Sequence, residues 1–150
     1  ETQYDLNEAR AAIRGARSVT GLPIVCSFSY DRGTRTMMGV KPSQVGNELS
    51  EMGVAALGIN CGRSLEDNLK ALKELRQATG LPIWFKPNAG LPRTDEDGSL
   101  HYEVTPEMMA AHVAEWVEAG AQLVGGCCGT SPEHLKAIAQ AVRSLQRSEN

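Results

Sequence analysis

Apolar residues along this chain recur in two alternating patterns, one typical of amphipathic helices and one typical of short buried strands. The helical pattern is clearest after Ser64, where a leucine appears at nearly every turn until Gly80 stops the helix. The predicted helices run from Asp5 to Ser18, Pro42 to Met52, Ser64 to Thr79, Thr105 to Ala119 and Ser131 to Leu145. The predicted strands are Leu22–Phe28, Val54–Asn60, Leu81–Lys86 and Ala121–Val124.

The ends of these elements carry the residues that such ends favour. Asp5 with Glu8 three positions later has the arrangement of a capping box, and Ser131 followed by Pro132 is a strong helix start. The segments without periodicity are predicted to be loops: Ser29–Lys41 with a small hairpin around Asp31–Gly33, Pro87–Pro92, and the acidic stretch Thr94–Ser99.

Two internal repeats show that the same unit is used more than once. The segment Glu51–Gly62 recurs as Glu118–Gly129, with Glu, Gly, Leu, Gly, Cys and Gly in matching positions. The segment Thr20–Ile24 recurs as Thr79–Ile83. Equivalent residues of a repeated parallel unit lie at the same end of the sheet. We therefore expect the cysteines of the first repeat to lie close together.

Helices alternating with strands predict an α/β fold with a parallel sheet. A doubly wound sheet is the default interpretation, but no Gly-x-Gly-x-x-Gly motif follows the first strand. Four βα units instead favour the C-terminal half of a (β/α)8 TIM barrel, with four parallel strands alternating with helices. We expect residues 1–150 to form a single partial domain.

Composition excludes several classes of partner. The formal net charge is −3, so neither nucleic acid nor an anionic membrane surface is expected to bind. No apolar run approaches the roughly 20 residues of a membrane-spanning helix. Four cysteines, two of them adjacent, do not resemble a secreted disulfide framework, which favours a reducing compartment such as the cytoplasm.

The cysteines carry the chemistry that the sequence suggests. Cys127 and Cys128 lie between glycines where a strand ends and a helix begins, and Cys61 ends the equivalent strand. Three thiolates suit Zn²⁺ and leave one tetrahedral position open, as in a site that also binds a substrate. A thiol bound there would stay deprotonated and attack a carbon electrophile, so methyl transfer fits better than hydrolysis.

Other interpretations of the cysteines stay open at this stage. Cys127 and Cys128 could form a vicinal disulfide, a buried packing pair, or the centre of a redox protein that binds no metal. Cys26, in the middle of a strand, is expected to be a small core residue. The three histidines are not expected to act: His134 to cap its helix or face solvent, His112 to pack beside Trp116, and His101 to lie in a polar loop.

Three segments resemble the homocysteine S-methyltransferase family: Asn60-Cys61, Lys86–Pro92 and Gly125–His134. The spacing of Cys61 and Cys127 is most similar to the homocysteine-binding domain of the cobalamin-dependent methionine synthases. The resemblance covers essentially the whole chain, and it implies a zinc-dependent (β/α)8 barrel that activates homocysteine as a zinc-bound thiolate for methylation to methionine.

The resemblance also implies roles for individual residues. It makes Cys61, Cys127 and Cys128 the zinc ligands, and Glu1 the carboxylate that holds the substrate amino group. Asn60 and Asn88 are expected to line the same mouth of the barrel.

The resemblance leaves the methyl donor open among methylcobalamin bound by another domain, folate, betaine, S-methylmethionine and adenosylmethionine. The implied partner is a missing N-terminal half-barrel or another copy of the chain. The alternative is a non-catalytic half-barrel that associates with itself, with or without zinc.

Overall fold

The computed structural model describes residues 1–148, which form a four-stranded parallel sheet with helices packed on one face. The sheet strands, in spatial order, are β1 (Val25–Phe28), β2 (Ala56–Cys61), β3 (Ile83–Pro87) and β6 (Leu123–Val124). A separate two-stranded hairpin consists of β4 (Pro92–Thr94) and β5 (Leu100–Tyr102). The helices are α1 (Leu6–Val19), α2 (Pro42–Ser50), α3 (Leu65–Ala78), α4 (Pro106–Ala111), α5 (Val113–Glu118) and α6 (Pro132–Ser148).

This alternation confirms the predicted class, a partial (β/α) barrel with four parallel strands and no barrel closure in the described residues. The predicted partial domain extends to residue 150, and its last two residues lie outside the described range. Among residues 1–148, the helices are too short or too polar to span a bilayer.

The first residues of the chain extend the sheet beyond β1. Gln3 forms a parallel bridge with Phe28, with hydrogen bonds from the Gln3 amide to the Ser27 carbonyl and from the Ser29 amide to the Gln3 carbonyl. Glu1 and Thr2 are thereby brought to the carboxyl ends of the strands. Asp5 then caps α1, because its side chain accepts hydrogen bonds from the amides of Asn7 and Glu8.

The core lies between the helices and one face of the sheet. Leu57 and Ile59 of β2 and Phe85 of β3 alternate along their strands and are fully buried on that face. The Trp116 ring of α5 packs against Phe85 with the ring centroids 5.2 Å apart. Each such side chain stabilises the fold by about 1.5–3 kcal/mol relative to leaving it exposed.

All four predicted strands begin two or three residues later than the sequence pattern indicates, and the first and the last show why. The strand predicted over Leu22–Phe28 starts at Val25, and Leu22 is 69% exposed. Pro23 has no amide hydrogen to donate to a strand ladder, so regular pairing begins only after it. The strand predicted over Ala121–Val124 contains only Leu123 and Val124, since the Ala121 amide bonds to the carbonyl of Trp116 in the preceding helix.

Two further elements differ from the prediction. The helix predicted over Thr105–Ala119 divides at His112, whose amide bonds to the carbonyls of Ala110 and Met109 in a tight turn. The stretch Thr94–Ser99, predicted as a simple loop, consists of the last residue of β4 and the turn that closes the β4–β5 hairpin. Its strands were not predicted because each is only three residues long and largely exposed.

Candidate metal centre

The centre forms at the carboxyl ends of β2, β3 and β6. Cys61 is the last residue of β2 and lies in register with Pro87 at the end of β3. The Cys127 amide donates to the Pro87 carbonyl at 3.0 Å, and the Ala89 amide donates to the Cys128 carbonyl at 2.9 Å. The end of β3 therefore holds the two cysteine-bearing segments on either side of it.

These contacts bring three thiol sulfurs together. The Sγ atoms of Cys61 and Cys127 are 3.1 Å apart, those of Cys61 and Cys128 are 3.8 Å apart, and all three lie within 4.8 Å of one another. Tetrahedral Zn²⁺ with Zn–S bonds of about 2.3 Å would separate its sulfurs by about 3.8 Å. The Cys61–Cys128 pair has this spacing, and the Cys61 and Cys127 sulfurs would have to move apart slightly to bind one ion together.

All four cysteines are free thiols, so Cys127 and Cys128 do not form the vicinal disulfide that the sequence left open. Cys26 lies buried in β1 as a core residue, away from the cluster. Cys128 is exposed while Cys61 and Cys127 are half-buried, which leaves one side of the cluster open to solvent.

The backbone at Cys61 is strained in a way that aims its sulfur. Cys61 and Gly62 have φ angles of 58° and 83°, in the left-handed region that side chains rarely adopt. The Asn68 side chain at the start of α3 donates to the Cys61 carbonyl and fills the space that a Cβ on Gly62 would need. Glycine at position 62 therefore lets Asn68 hold the turn.

Asn60 lies beneath the sulfurs and is fully buried. Its Nδ2 is 3.4 Å from Cys61 Sγ and 3.9 Å from Cys127 Sγ, and it also donates to Thr2 Oγ1 at 2.7 Å. Its Oδ1 accepts from the Thr2 amide at 3.0 Å and from Ser27 Oγ at 2.8 Å. Asn60, which was expected at the mouth of the barrel, is thus buried beside the centre, where its amide contacts two of the sulfurs.

Asn88, the other asparagine expected at the mouth, links the two ligand-bearing segments. Its Nδ2 donates to the Gly62 carbonyl at 3.0 Å, and its Oδ1 accepts from the Cys128 amide at 2.9 Å. Its own amide donates to the Cys61 carbonyl at 3.3 Å. One side chain therefore sets the distance between the Cys61 turn and the Cys127-Cys128 turn.

The close contact of two sulfurs separates their acidities. Burial and the neighbouring sulfurs raise the pKa of Cys61 to about 12. Burial also opposes ionisation of Cys127, but hydrogen bonds from Cys61, Asn60 and backbone amides lower its pKa below the usual thiol value. Of these two thiols, Cys127 is therefore the one that loses its proton first as the pH rises.

Glu1 lies near the centre and is already paired. Its carboxylate forms a salt bridge with Lys86 of β3, and this hydrogen bond lowers the pKa of Glu1. The Lys86 ammonium also lies 3.8 Å from the centroid of the Trp84 ring. About half of the Glu1 side chain remains exposed.

His134 has a larger structural role than the sequence suggested. It is buried, with Nδ1 accepting from the Ser131 amide at 3.1 Å and Nε2 contacting the Val104 carbonyl at 2.8 Å. The ring therefore joins the start of α6 to the segment after the hairpin. Tyr102 of that hairpin packs on Gly129, where a Cβ would overlap its ring.

Sequence reasoning missed Thr2, Ser27, Asn68 and the contacts of His134. Ser27 gave the one usable signal, since it is a polar residue within an apolar strand. The partners of Thr2 and Asn68 are distant in sequence or depend on side-chain direction, which periodicity does not report.

The donor set fits a soft or borderline metal ion. Three sulfurs converge, their backbones are held by hydrogen bonds, and one side is open, as in zinc sites that bind a substrate at the fourth position. Cys61, Cys127 and Cys128 are the residues that could hold such an ion.

Comparison with known proteins places this centre in a family. The sequence profile described as homocysteine S-methyltransferase matches residues 1–142. A methionine synthase of Mycobacterium tuberculosis is 30% identical over 155 aligned residues, which cover 99% of this chain and 13% of that protein. The chain thus spans only a small part of the length of that relative.

Solved structures agree with the sequence comparison. The apo form of the homocysteine methyltransferase MmuM from Escherichia coli superposes with a TM-score of 0.75 at 28% identity, over 94% of this chain and 48% of that one. Its metallated form superposes with a TM-score of 0.70, also at 28% identity, over 91% of this chain and 42% of that one.

Proposed function

The chain belongs to the homocysteine S-methyltransferase family, and from this premise we propose that it activates the thiol of homocysteine for methylation to methionine. The observation that carries the proposal is the cluster of three sulfurs within 4.8 Å of one another, with Cys128 on its exposed side. A closed structural site would occupy all four positions, whereas this cluster leaves one side open to a substrate sulfur.

We assign Zn²⁺ to Cys61, Cys127 and Cys128. When bound, zinc would act as a Lewis acid that keeps a coordinated thiol deprotonated at neutral pH. The Asn88 and Asn68 side chains would keep the ligand-bearing turns in place during turnover, because they bond to backbone atoms of those turns.

The substrate would place its sulfur at the open side of the cluster and its ammonium group against Glu1. The thiol proton leaves to solvent, and a sulfur lone pair forms the new S–CH₃ bond as the bond between the methyl group and its donor breaks. The donor keeps that electron pair. Among the donors that the sequence resemblance leaves open, methylcobalamin would be bound by another domain.

X-ray absorption at the zinc edge tests the proposed centre. The zinc-loaded protein should change from three to four sulfur neighbours when homocysteine is added, because the substrate thiol supplies the fourth ligand. Methionine, which has no thiol, serves as the matched control and should leave the count at three. An unchanged sulfur count with homocysteine would remove it as the substrate.

The role of Glu1 is tested separately by Glu1→Gln. Loss of the carboxylate should weaken homocysteine binding by on the order of 1.5–3 kcal/mol, the range for a hydrogen bond to a charged group. Binding of a thiol that lacks the amino group should not change. Equal affinity of both proteins for homocysteine would exclude Glu1 from the site.

A further inference from the structure

Four sulfurs would meet in the proposed reaction, three from the protein and one from the substrate, yet only one of them is to be methylated. All are nucleophiles of the same kind, so a methyl donor that reaches the centre could also alkylate the cysteines. Something in the protein must make its own sulfurs less reactive. The buried side chain of Asn60 has the position to do this.

The hydrogen bonds of Asn60 fix which end of its amide faces the sulfurs. The Thr2 amide can only donate, so the atom of Asn60 that it contacts at 3.0 Å must be the acceptor Oδ1. The same oxygen accepts from Ser27 Oγ at 2.8 Å. The NH₂ group is therefore directed at Thr2 Oγ1 and the sulfurs, and it cannot be exchanged with the oxygen.

The protein maintains this orientation at a cost in backbone strain. Thr2 is a β-branched residue with a φ angle of 61°, a conformation that costs of order 1–3 kcal/mol. In that conformation its amide and its hydroxyl both contact Asn60. Cys61, the neighbour of Asn60, is likewise in the left-handed region. Two strained residues thus surround one buried amide.

We propose that Asn60 is a positioning residue: one N–H of its amide bonds to Thr2, and the other lowers the nucleophilicity of Cys61 and, more weakly, of Cys127, so that methylation is directed to the substrate sulfur. Hydrogen bonds to ligand sulfurs withdraw charge from them, as they do in other metal–thiolate centres. The Nδ2 atom reaches Cys61 Sγ at 3.4 Å and, more weakly, Cys127 Sγ at 3.9 Å. The sulfurs that Nδ2 contacts are those of Cys61 and Cys127, whereas the substrate sulfur would bind on the exposed side of the cluster, beside Cys128.

This inference rests on the proposed metal centre, and site-resolved alkylation tests it. The zinc-loaded protein is treated with methyl iodide, in which a sulfur lone pair forms the S–CH₃ bond and iodide leaves with the C–I electron pair. Peptide mass spectrometry then gives the methylation rate of each cysteine. In Asn60→Ala, the methylation rates of Cys61 and Cys127 relative to that of Cys128 should rise roughly threefold to tenfold. A change of this size corresponds to part of the free energy of a hydrogen bond to a charged group.

Two further variants distinguish loss of the Asn60 hydrogen bond to the sulfurs from a general loosening of the site. Ser27→Ala removes a donor to Oδ1 and leaves the N–H groups in place, so its ratio should equal that of the unchanged protein. Asn60→Asp keeps the acceptor for Thr2 and lacks the donor, so its ratio should rise as in Asn60→Ala. With Co²⁺ in place of zinc, both Asn60 variants should move the sulfur-to-metal charge-transfer band to lower energy.

The outcomes are distinct for the two proposals. An unchanged protein that binds no zinc overturns the metal centre and this role together. A protein that binds zinc, but whose cysteine ratios do not change in either Asn60 variant, overturns the role of Asn60 alone. An equal rise in Ser27→Ala would also overturn it, because loosening rather than the N–H groups would then explain the reactivity.

Discussion

Cys61 and Cys26 both lie in strands of the parallel sheet, but their surroundings differ. Cys61 lies in a strained turn with two sulfurs beside it, whereas Cys26 is packed in the core of β1. Only the first environment can hold a metal ion. Exposure and neighbours, rather than residue type, therefore separate the two thiols.

Replacing Cys61 by Ala should remove the metal, because two remaining thiolates cannot hold an ion in a site with an open position. The affinity should fall by more than the roughly 10–100-fold that loss of an outer-shell partner costs. Metal content of the purified protein measures this, with Cys26→Ala as the matched control that keeps its metal. Stoichiometric zinc in Cys61→Ala would contradict the assignment.

Metal affinity should also depend on pH, because metal binding must release the thiol protons. Cys61, with a pKa of about 12, remains protonated between about pH 6 and about pH 9 and loses one proton on binding throughout that range. Affinity should therefore rise about tenfold per pH unit for that proton and fall as pH falls. Because the pKa of Cys127 is lowered, its thiol adds a second released proton, and so a steeper slope, only below that pKa. Competition with a chelator at several pH values measures the slope, and a flat profile would contradict the release of a proton from Cys61.

The sequence predicted the cysteines of the centre better than their supports. Cys61, Cys127 and Cys128 were identified because an internal repeat places equivalent residues at one end of a parallel sheet. Asn68 and Thr2 were not, because their roles depend on a left-handed turn and on side-chain directions that only the folded chain defines. The repeat reports strand position but not local geometry.

At the scale of elements, the β4–β5 hairpin and the start of α6 are joined through His134. The ring accepts from the Ser131 amide and contacts the Val104 carbonyl, so it fixes the hairpin beside the segment that carries Cys127 and Cys128. One property of the hairpin explains both why the sequence pattern did not predict it and why it needs this support. Its strands are short, exposed and rich in polar residues.

His134→Ala should destabilise the protein by about 1–3 kcal/mol, because it leaves the Val104 carbonyl without its ring partner. Urea unfolding measures the loss, and amide hydrogen exchange should become faster in residues 92–104 before the rest of the sheet. His101→Ala, an exposed histidine of the same hairpin, is the control and should stay within about 0.5 kcal/mol. Unchanged exchange in the hairpin would show that His134 does not anchor it.

Helices and strands were otherwise predictable wherever their periodicity was strong. The α3 stripe and the β2 and β3 runs were placed within a few residues, since apolar side chains there face one core. The break at His112 was not predicted, because the apolar residues keep a helical spacing on both sides of the tight turn there. A proline can make a strand begin later than predicted, as Pro23 does for β1, because the apolar pattern does not show that proline lacks an amide hydrogen.

At the scale of the whole molecule, the sheet has two open edges and an incompletely covered inner face. Beside β6, a groove of about 690 Å³ runs between α5 and α6 and is lined by apolar side chains, among them Val117, Val124 and Leu135. On the inner face, Val25 is 43% exposed and Leu123 is 48% exposed. A closed barrel would bury these residues against further strands and helices.

We propose that the residues of the groove pack against a complementary half-barrel, and that without it the isolated chain associates with itself. Unpaired parallel edges template association, and apolar patches of more than a few hundred Å² are rarely left exposed in monomers.

The chain alone should therefore sediment as a dimer or larger species rather than at 16.1 kDa. Leu135→Lys, which places a charge in the groove, should shift the distribution toward monomer, whereas Lys136→Glu on the same helix should not. A cooperative monomer that binds no hydrophobic dye would mean that this chain stabilises its open edges without a partner, and the half-barrel assembly would then be wrong.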